Sequence, residues 1–323
     1  MSLRNVLVTG ASTPLGERLI WRLLEDSRVN AVVAAYDEKE PFSIPESDRL
    51  KLVAVDMRKQ RRIHSLLFGV AKEWNVDTLV HTAHEDSAIK EGAKVRQHNV
   101  ESLRSILSFA ERHPSIRRLV IRSFGEVYQV QRDLPVLIGE DHPLNMNSGA
   151  PQFVRDRVEA DLTACARMGL SSLQIVVLRM AEILAPSSGS QMFDYLQSVM
   201  CFRPAGYDPM LNFLSLEDAA ASLQRAIHQN EQGVFNVPGA DTLPLSKTIQ
   251  RWGRVSVPTP ETILSAIYRV RRVVRGAEFR YGMNRRRFHY SGVLDGRRAM
   301  EVLKYIPSYP IDWPLSDNEA AES

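Results

Sequence analysis

The residues whose spacing best supports chemistry are a glycine-bearing turn and a carboxylate downstream of it. The turn, Thr9-Gly10-Ala11-Ser12-Thr13-Pro14-Leu15-Gly16, directly follows the apolar run Val6-Leu7-Val8 and precedes an amphipathic segment. A glycine turn between a strand and a helix aims helix N–H groups and the positive end of the helix dipole at a phosphate. Thr13 can cap that helix, and Pro14 suits its first turn. We therefore predict a pyrophosphate site at this turn.

Asp37 supplies the second half of the pattern. It follows the apolar run at 31–35 and lies 27 positions after Gly10. A carboxylate at this place can accept hydrogen bonds from both hydroxyls of an adenosine ribose, and it repels a 2′-phosphate. Turn and carboxylate together predict a dinucleotide site that prefers NAD to NADP. The alternative is a glycine turn that holds no ligand, since glycine motifs alone are weak evidence.

The elements that must position these residues alternate between short apolar runs and helical patterns through the first 180 residues. The apolar runs lie at 6–8, 31–35, 50–55, 78–82, 118–121 and 173–178. This alternation is typical of βαβ units on a parallel sheet that is buried on both faces. We predict an α/β fold, a Rossmann-type doubly wound parallel sheet with a smaller mixed C-terminal substrate lobe.

The same pattern gives expected domain boundaries. Residues 1–180 form the dinucleotide-binding domain, and 212–237 return to it. The loosened pattern, with scattered Gly and Pro, assigns 181–211 and 238–315 to a small substrate or partner lobe. The polar segment 316–323 is expected to be a disordered tail.

Composition places the chain among ordinary globular proteins, with 44% apolar and 24% charged residues over 323 positions. The N-terminus leaves no room for a signal peptide before the first strand, and no apolar run nears the roughly 20 residues of a membrane span. We expect a soluble, cytoplasmic protein. Cys165 and Cys201 lie far apart without metal-ligand spacing, so we expect two core thiols and no metal site.

The net charge of +3 hides one basic segment. Between Glu261 and Tyr290, eight arginines stand against Glu261 and Glu278, a local charge of +6, so the rest of the chain carries −3. That remainder argues against a nucleic-acid partner. Within 261–276 we expect an amphipathic basic helix. One face would hold Ile263, Leu264, Ile267, Val270 and Val274, and the other sides Arg269, Arg271, Arg272 and Arg275.

The sequence leaves four interpretations of these arginines open. They can form a solvated face over the second lobe. They can instead contact an anionic membrane surface, an acidic partner protein, or the diphosphate of a nucleotide-type small-molecule ligand.

A series of motifs in order along nearly the whole chain resembles the extended short-chain dehydrogenase/reductase family, which contains NAD-dependent epimerases and dehydratases. Thr9-Gly10-x-x-Thr13-x-x-Gly16 resembles the family's TGxxGxxG turn, and Val55-Asp56-Met57-Arg58 its adenine-contacting DxR segment. The other similar segments are Val80-His81-Thr82-Ala83-His84 (HLAA), Asn99-Val100 (the asparagine opening the fourth helix), Leu178-Arg179 (LRP), Leu216-Glu217-Asp218-Ala219-Ala220 (VxDVA) and Val234-Phe235-Asn236-Val237 (YNV). Each motif is loose alone, but their ordered succession is specific.

The resemblance implies a set of cofactor contacts and an assembly. The implied cofactor is NAD, and the implied assembly is a homodimer formed through helices near 99–112 and 152–167. The implied contacts are Gly10, Ser12, Thr13, Leu15, Gly16, Asp37, Asp56, Met57, Thr82, Ala83, His84 and Arg157. Thr13 departs from the family, whose glycine there allows close backbone approach to the pyrophosphate, so we expect weakened NAD binding.

The catalytic positions implied by the resemblance carry residues that cannot exchange a proton. The family pairs a Ser or Thr in an SSSxxVYG segment with the Tyr and Lys of a YxxxK helix. In this chain the segment Arg122-Ser123-Phe124-Gly125-Glu126-Val127-Tyr128 places Phe124 at the serine, and Phe153 and Arg157 replace the Tyr and Lys. Phe has no ionisable group, and Arg stays protonated in a folded protein. We predict a retained scaffold that has lost the family's acid/base chemistry.

Four residues are the nearest substitutes by homologous position: Glu126, Tyr128, His84 and Asp156. Glu126 is the strongest, because a buried carboxylate near the substrate space can be tuned towards neutral pH. A structural tyrosine and a loop histidine are the simpler interpretations of Tyr128 and His84.

Three functions therefore stay open. The first is a cofactor-binding scaffold or regulator. The second is an NAD-dependent epimerase, dehydratase or reductase that acts on a sugar- or lipid-like substrate with a replaced acid/base. The third is a peripheral membrane or partner-binding protein without a cofactor.

Overall fold

The apolar runs of the sequence become the strands of one large parallel sheet. The computed structural model describes residues 3–38, 43–275 and 278–315, and the predicted tail lies outside them. In chain order the strands are β1 (Arg4–Thr9), β2 (Val29–Tyr36), β3 (Leu50–Ala54), β4 (Thr78–His81), β5 (Arg118–Phe124), β6 (Leu137–Ile138), β7 (Gln174–Met180), β8 (Glu182–Ile183), β9 (Met200–Pro204), β10 (Met210–Leu214), β11 (Gly233–Val237), β12 (Asp241–Pro244), β13 (Val255–Thr259) and β14 (Val293–Leu294).

The helices alternate with these strands through the first half of the chain. They are α1 (Pro14–Glu25), α2 (Gln60–Ser65), α3 (Ala93–Arg96), α4 (Ser102–Ala110), α5 (Gln152–Cys165), α6 (Gln191–Leu196), α7 (Leu216–His228), α8 (Leu245–Arg251), α9 (Glu261–Arg275) and α10 (Tyr281–Asn284). A π-helical stretch, Leu66–Ala71, continues α2, and another, Gln97–Glu101, joins α3 to α4. Among the described residues, no helix is long and apolar enough to cross a bilayer.

The main sheet has the strand order of a doubly wound fold. Within the described residues the order is β3-β2-β1-β4-β5-β7-β11, and every neighbouring pair is parallel. The chain therefore winds in one direction from β1 to β3 and in the other from β4 onward. In such sheets the switch between the two halves, here between β1 and β4, opens a crevice at the carboxyl ends of the strands. The predicted Rossmann-type fold is confirmed.

Both faces of this sheet are buried, which explains why its strands read as continuous apolar runs. Val6 and Val8 belong to a core shared with Leu19 of α1 and Leu223 of α7. Leu7, which points the other way, belongs to a second core around α2 and α4. The alternation of side chains along β1 thus builds two layers of helices around one sheet.

A smaller mixed lobe contains β9, β10, β12 and β13, whereas β6 pairs with β14 and their buried residues Ile138 and Leu294 belong to the core of the main sheet. β10 pairs antiparallel with β12 and parallel with β8, and β9 pairs with β13. This lobe has its own core, in which Tyr195, Phe279 and Phe288 pack edge to face or tilted. β11 lies in the main sheet and β10 in the lobe; the domain boundaries themselves stay a prediction.

The basic segment forms the predicted helix, α9. Leu264 and Tyr268 are buried against the lobe, whereas Ile263, Val270 and Val274 are exposed, so most of the expected apolar face lies outside the contact with the lobe. Amphipathic side chains take its place: the Tyr268 hydroxyl donates to the carbonyl of Phe202 at 2.8 Å, and the Arg271 guanidinium lies 4.7 Å from the Phe202 ring centroid. Gly276 and the side chain of Arg275 lie outside the described part of the chain.

Candidate functional site

Thr13 closes the glycine turn and caps α1, as predicted. Its Oγ1 accepts a hydrogen bond from the N–H of Gly16 at 3.1 Å and donates to the carbonyl of Gly10 at 2.8 Å. Pro14 occupies the first turn of α1. Pro14 has no N–H, and the N–H of Gly16 is bound by Thr13. Among the first three residues of α1, all of which the structure describes, this leaves the N–H of Leu15 without an intramolecular partner. The turn offers a phosphate fewer donors than a helix start without a capping side chain.

The two glycines of the turn are required by close packing. Gly10 has φ +78°, and a Cβ on it would lie 2.5 Å from the backbone nitrogen of Ala83. A Cβ on Gly16 would collide with the carbonyl oxygen of Gly10. Gly10 allows the turn to pack against the residues that follow β4, and Gly16 allows the first turn of α1 to pack against Gly10. Together they fix the geometry of this end of the sheet.

A cleft of about 990 Å³ opens beside this turn. Among the predicted cofactor contacts, Ser12, Thr13, Asp37 and His84 line it. Arg58 lines it as well, and Asp56 lies behind, joined to Arg58 by hydrogen bonds of 2.8 and 3.0 Å. These bonds from Arg58 lower the pKa of Asp56 to about 2. The cleft thus carries a carboxylate, Asp37, after the end of β2 and a guanidinium, Arg58, after the end of β3.

The remaining predicted contacts support the cleft from behind. Met57, Thr82 and Ala83 are buried. The Thr82 hydroxyl donates to the carbonyl of Thr9 at 2.8 Å, which ties β4 to the turn. The turn, Asp37 and the end of β4 meet at the switch point of the sheet, which is an arrangement that fits a dinucleotide.

Arg157 lies in the interior and is absent from the lining of this cleft. Its side chain is 1% exposed, and its guanidinium carbon lies 3.7 Å from the ring centroids of both Phe124 and Phe153. Its Nη1 donates to Glu126 Oε2 at 2.9 Å. Burial lowers the pKa of Arg157 to about 10, so it remains a cation at neutral pH. The three residues at the expected catalytic positions are therefore brought together, as an aromatic–cation stack.

Glu126 is held by arginines of its own chain. Beside its bond to Arg157, its Oε1 lies 3.7 Å from Nη1 of Arg287, and Arg287 in turn donates to Glu182 at 2.5 Å. Burial opposes ionisation of Glu182, but Arg287 and the N–H of Met192 outweigh it, so the pKa of Glu182 is lowered. The result is a buried charge chain beneath the cleft in which Glu126 serves as an ion-pair partner.

His84 and Tyr128 have environments that oppose proton exchange near neutral pH. Burial, followed by the charges of Arg157 and Arg122, lowers the pKa of His84 well below its usual range. The Tyr128 hydroxyl donates to Asn236 Oδ1 at 2.7 Å and accepts from Arg179 at 2.9 Å. Burial raises the pKa of Tyr128 to about 12. Tyr128 thus links the segment after β5 to β7 and β11.

Asp156, the fourth proposed substitute, lies elsewhere. It accepts a hydrogen bond from Gln152 at 3.1 Å and lies 3.7 Å from Arg96. Burial raises its pKa. With Arg96 and Glu159 it lines a groove beside α3 and α5 that shares no lining residue with the cleft.

A segment that sequence reasoning missed, residues 185–190, covers the aromatic–cation stack. Arg122 donates to the carbonyl of Ser188 at 2.8 Å. Gly189 has φ +77°, and a Cβ on it would lie 2.8 Å from Asp86 Oδ1 and 3.0 Å from Arg157 Nη2. The cavity left beneath the segment is about 10 Å³, close to the size of one water molecule. The run Pro186-Ser187-Ser188-Gly189-Ser190 signals a loop, but nothing local indicates what it covers.

Asp194 is a second residue that the sequence did not single out. It lines the cleft, and its Oδ2 accepts a hydrogen bond from Gln191 at 3.3 Å. Burial, followed by the negative charges of Glu278 and Glu182, raises the pKa of Asp194 to about 7.

Comparisons with known proteins agree with this geometry. The fold is shared with dTDP-glucose 4,6-dehydratase of Bacillus anthracis, solved in complex with NAD (TM-score 0.69, 16% identity, 96% of this chain and 93% of that one). It is also shared with UDP-glucose 4-epimerase of Thermotoga maritima, solved with UDP-glucose (TM-score 0.69, 15% identity, 95% and 94%). An uncharacterised protein of Mycobacterium tuberculosis is 30% identical over 313 residues, which cover 94% of this chain and 80% of that protein.

At such low identity the two solved enzymes establish the fold alone. The sequence itself matches the NAD dependent epimerase/dehydratase family over residues 6–195. Because this match spans more than half of the chain, the protein belongs to the NAD dependent epimerase/dehydratase family.

Proposed function

We propose that this protein binds NAD(H) in the cleft at the carboxyl ends of β1, β2 and β4, and that it acts as a cofactor-binding scaffold or regulator without the family's turnover. The observation that carries the proposal is the aromatic–cation stack of Phe124, Phe153 and Arg157 at the expected catalytic positions. NAD, when bound, supplies a hydride acceptor. Hydride transfer from an alcohol carbon is fast only when a positioned group takes the proton of its oxygen, and none of these three residues can do so.

At the adenosine and pyrophosphate end, two residues support cofactor binding and a third weakens it. Asp37 lines the cleft at the end of β2, where its carboxylate can accept hydrogen bonds from ribose hydroxyls. The N–H of Leu15 and the dipole of α1 favour a phosphate at the turn. Thr13 engages the N–H of Gly16, which removes one donor and weakens that contact.

The magnitude of acid/base catalysis supports the absence of turnover. A positioned acid/base contributes about 10²–10⁴-fold, and residues that act as a unit are non-additive, so little of the mechanism survives the loss of all of them. The 185–190 segment adds a second obstacle, because it leaves a cavity of about 10 Å³ next to Arg157.

The proposal is tested on the protein as purified. Denaturing it and quantifying the released nucleotide measures bound NAD(H), and calorimetry with NAD and NADP measures affinity and preference. We expect NAD binding that is tighter than NADP binding. No detectable NAD binding at millimolar concentration would contradict the cofactor part and favour a partner-binding protein without a cofactor.

A second function, turnover with a replaced acid/base on a sugar- or lipid-like substrate, is favoured by one observation. Asp194 is a cleft carboxyl whose pKa of about 7 lets it exchange a proton near neutral pH. Turnover of a nucleotide sugar or alcohol that disappears in Asp194→Asn while NAD still binds would support this function over the scaffold.

The homodimer and the cytoplasmic location stay predictions. α5 and the helical segment ending in α4 lie side by side, joined by hydrogen bonds from Arg96 and Arg104 to Glu159 at 2.5–2.7 Å. We propose that this pair of helices forms the dimer interface. Sedimentation equilibrium on the wild type and on Leu162→Glu, a half-exposed position of α5, tests it: the interface is wrong if the wild type is monomeric or if the variant remains as dimeric as the wild type.

A further inference from the structure

α9 presents an apolar sector that the lobe does not cover. Val270, Val273 and Val274 are 59%, 77% and 74% exposed, and Ile263 is half exposed. At about 100° per residue these four side chains fall within one arc of roughly 100°, next to the arc of Leu264, Tyr268 and Arg271 that packs on the lobe. The helix therefore has more apolar surface than its own fold uses. Exposed apolar patches of this kind mark sites of interaction with a partner or a membrane.

Two arginines follow this apolar sector around the helix: Arg269 lies about 40° beyond Val273, and Arg272 lies about 60° further, next to the arc that packs on the lobe. Arg269 and Arg272 are exposed, and neither forms an ion pair with a carboxylate among the described residues. Glu261, the acidic residue at the start of α9, is already paired with Arg285. The negative end of the helix dipole favours cations near residue 272, but it gives no reason for exposed valines beside them.

The strands below α9 extend the apolar surface. Arg271 bridges to them, since its Nη1 donates to the carbonyl of Met200 at 2.9 Å. Met200 on β9 and its neighbour in register, Val255 on β13, are both exposed, as is Val199 just before β9. The exposed apolar side chains are thus found on the helix and on the two strands to which it is attached.

We propose that this face docks on an anionic lipid bilayer. Val270, Val273 and Val274 enter the interfacial region, Arg269 at the border of this sector contacts the lipid phosphates, and Arg272 adds positive charge near the anionic surface. A helix with an apolar sector bordered by arginines is the arrangement of interfacial membrane-binding helices. The diphosphate of a soluble ligand would need a concave site, whereas these side chains stand on a convex helix. An acidic protein would satisfy the arginines but leaves the valines unexplained.

This docking goes beyond the proposed cofactor function and is independent of it, because no residue of α9 lines the cleft. Vesicles of phosphatidylcholine alone and of phosphatidylcholine mixed with phosphatidylglycerol are the probes, and sedimentation of the full-length protein is the measurement. We expect the wild type to sediment with the mixed vesicles, to stay in solution with the neutral ones, and to be released as salt screens the contact.

Two double variants separate the two kinds of contact. Arg269→Gln with Arg272→Gln should weaken binding to the mixed vesicles by about 10- to 30-fold, which is the order expected from removing two cations near an anionic surface. Val273→Ser with Val274→Ser should weaken it by at least about 10-fold, because less apolar surface enters the interface. The matched controls, Arg61→Gln with Arg62→Gln on α2 and the exposed Leu170→Ser, should bind as the wild type does.

Arg269→Lys with Arg272→Lys guards against a loss that comes from misfolding, because it keeps both charges and should keep binding. The proposal is overturned if the wild-type protein fails to sediment with the mixed vesicles. It is also overturned if either the double arginine-to-glutamine variant or the double valine-to-serine variant sediments as the wild type does. Self-association in solution that the valine variant abolishes, without vesicle binding, would assign the face to a second copy of the chain instead.

Discussion

The guanidinium carbon of Arg157 lies 3.7 Å from the centroid of the Phe153 ring, one helical turn earlier in α5. The Phe124 ring at the end of β5 lies at the same distance, so the cation joins a helix to the sheet. Residues four apart on a helix are neighbours, and a desolvated cation over an aromatic face contributes about 2 kcal/mol. The positions that resemble a proton-transfer pair therefore act here in packing and in an ion pair with Glu126.

Removing Arg157 should destabilise the protein. Arg157→Ala leaves Glu126 without its closest partner and opens a cavity between two rings, so we expect the free energy of unfolding to fall by about 3–5 kcal/mol. Arg155→Ala, two residues away on the exposed side of α5, is the control and should change it by less than about 0.5 kcal/mol. Urea unfolding measures both. Equal stability of the two variants would show that the stack contributes nothing.

Thr13→Gly should tighten NAD binding while it weakens the start of α1. The substitution releases the N–H of Gly16 and removes a branched side chain from the turn, so we expect the affinity for NAD to rise by about 1 kcal/mol, one additional hydrogen bond. Glycine is a tolerable cap, so the helix should lose only a few tenths of a kcal/mol. Calorimetry and urea unfolding measure the two effects.

Thr13→Ser distinguishes the two causes. It keeps the capping hydroxyl and removes the methyl group. If the engaged N–H limits binding, Thr13→Ser should bind NAD as the wild type does, and if the methyl group limits it, the serine variant should gain as the glycine variant does. Weaker or unchanged binding in Thr13→Gly would contradict the role assigned to Thr13.

Asp37 should determine the preference for NAD. Asp37→Ala is expected to weaken NAD binding by about 1.5–3 kcal/mol, the range of hydrogen bonds to a charged group, and to weaken NADP binding less. Glu38→Ala, at the exposed neighbouring position, should leave both affinities unchanged. Wild-type affinity for NADP(H) that equals or exceeds that for NAD(H) would show that this carboxylate does not contact the ribose.

Asp194 should make stability depend on pH. An unfolded aspartate titrates near 3.8 and the folded Asp194 near 7, so between those values the folded state holds a proton that the unfolded state has lost. The free energy of unfolding attributable to this group then falls as the pH rises through that window. Asp194→Asn should remove the fall and be more stable relative to the wild type at pH 8 than at pH 5. The exposed Asp133→Asn is the control, and an unchanged pH slope in Asp194→Asn would refute the assignment.

The sequence predicts those features that depend on neighbouring residues. Burial of both sheet faces makes each strand an apolar run, and the cap at Thr13 requires only its own hydroxyl and the N–H three residues on. The packing face of α9 could not be predicted, because Tyr268 and Arg271 replace aliphatic residues there and their partner, Phe202, lies far away in sequence. The position of the 185–190 segment over Arg157 could not be predicted either, because it depends on contact between Gly189 and Asp86, which are about a hundred residues apart in the sequence.

The most direct test of the central claim is a turnover assay on protein that has been shown to bind NAD. Wild type and the triple variant Phe124→Ser, Phe153→Tyr, Arg157→Lys are incubated with the same nucleotide sugars and alcohols, and NADH absorbance and epimeric products are followed. We expect no turnover by the wild type. We expect little by the triple variant, because restored proton-transfer groups do not by themselves bring reacting atoms to about 3–3.5 Å. Wild-type turnover that is lost in Glu126→Gln, with NAD binding intact, would contradict the account and identify Glu126 as the replacement acid/base.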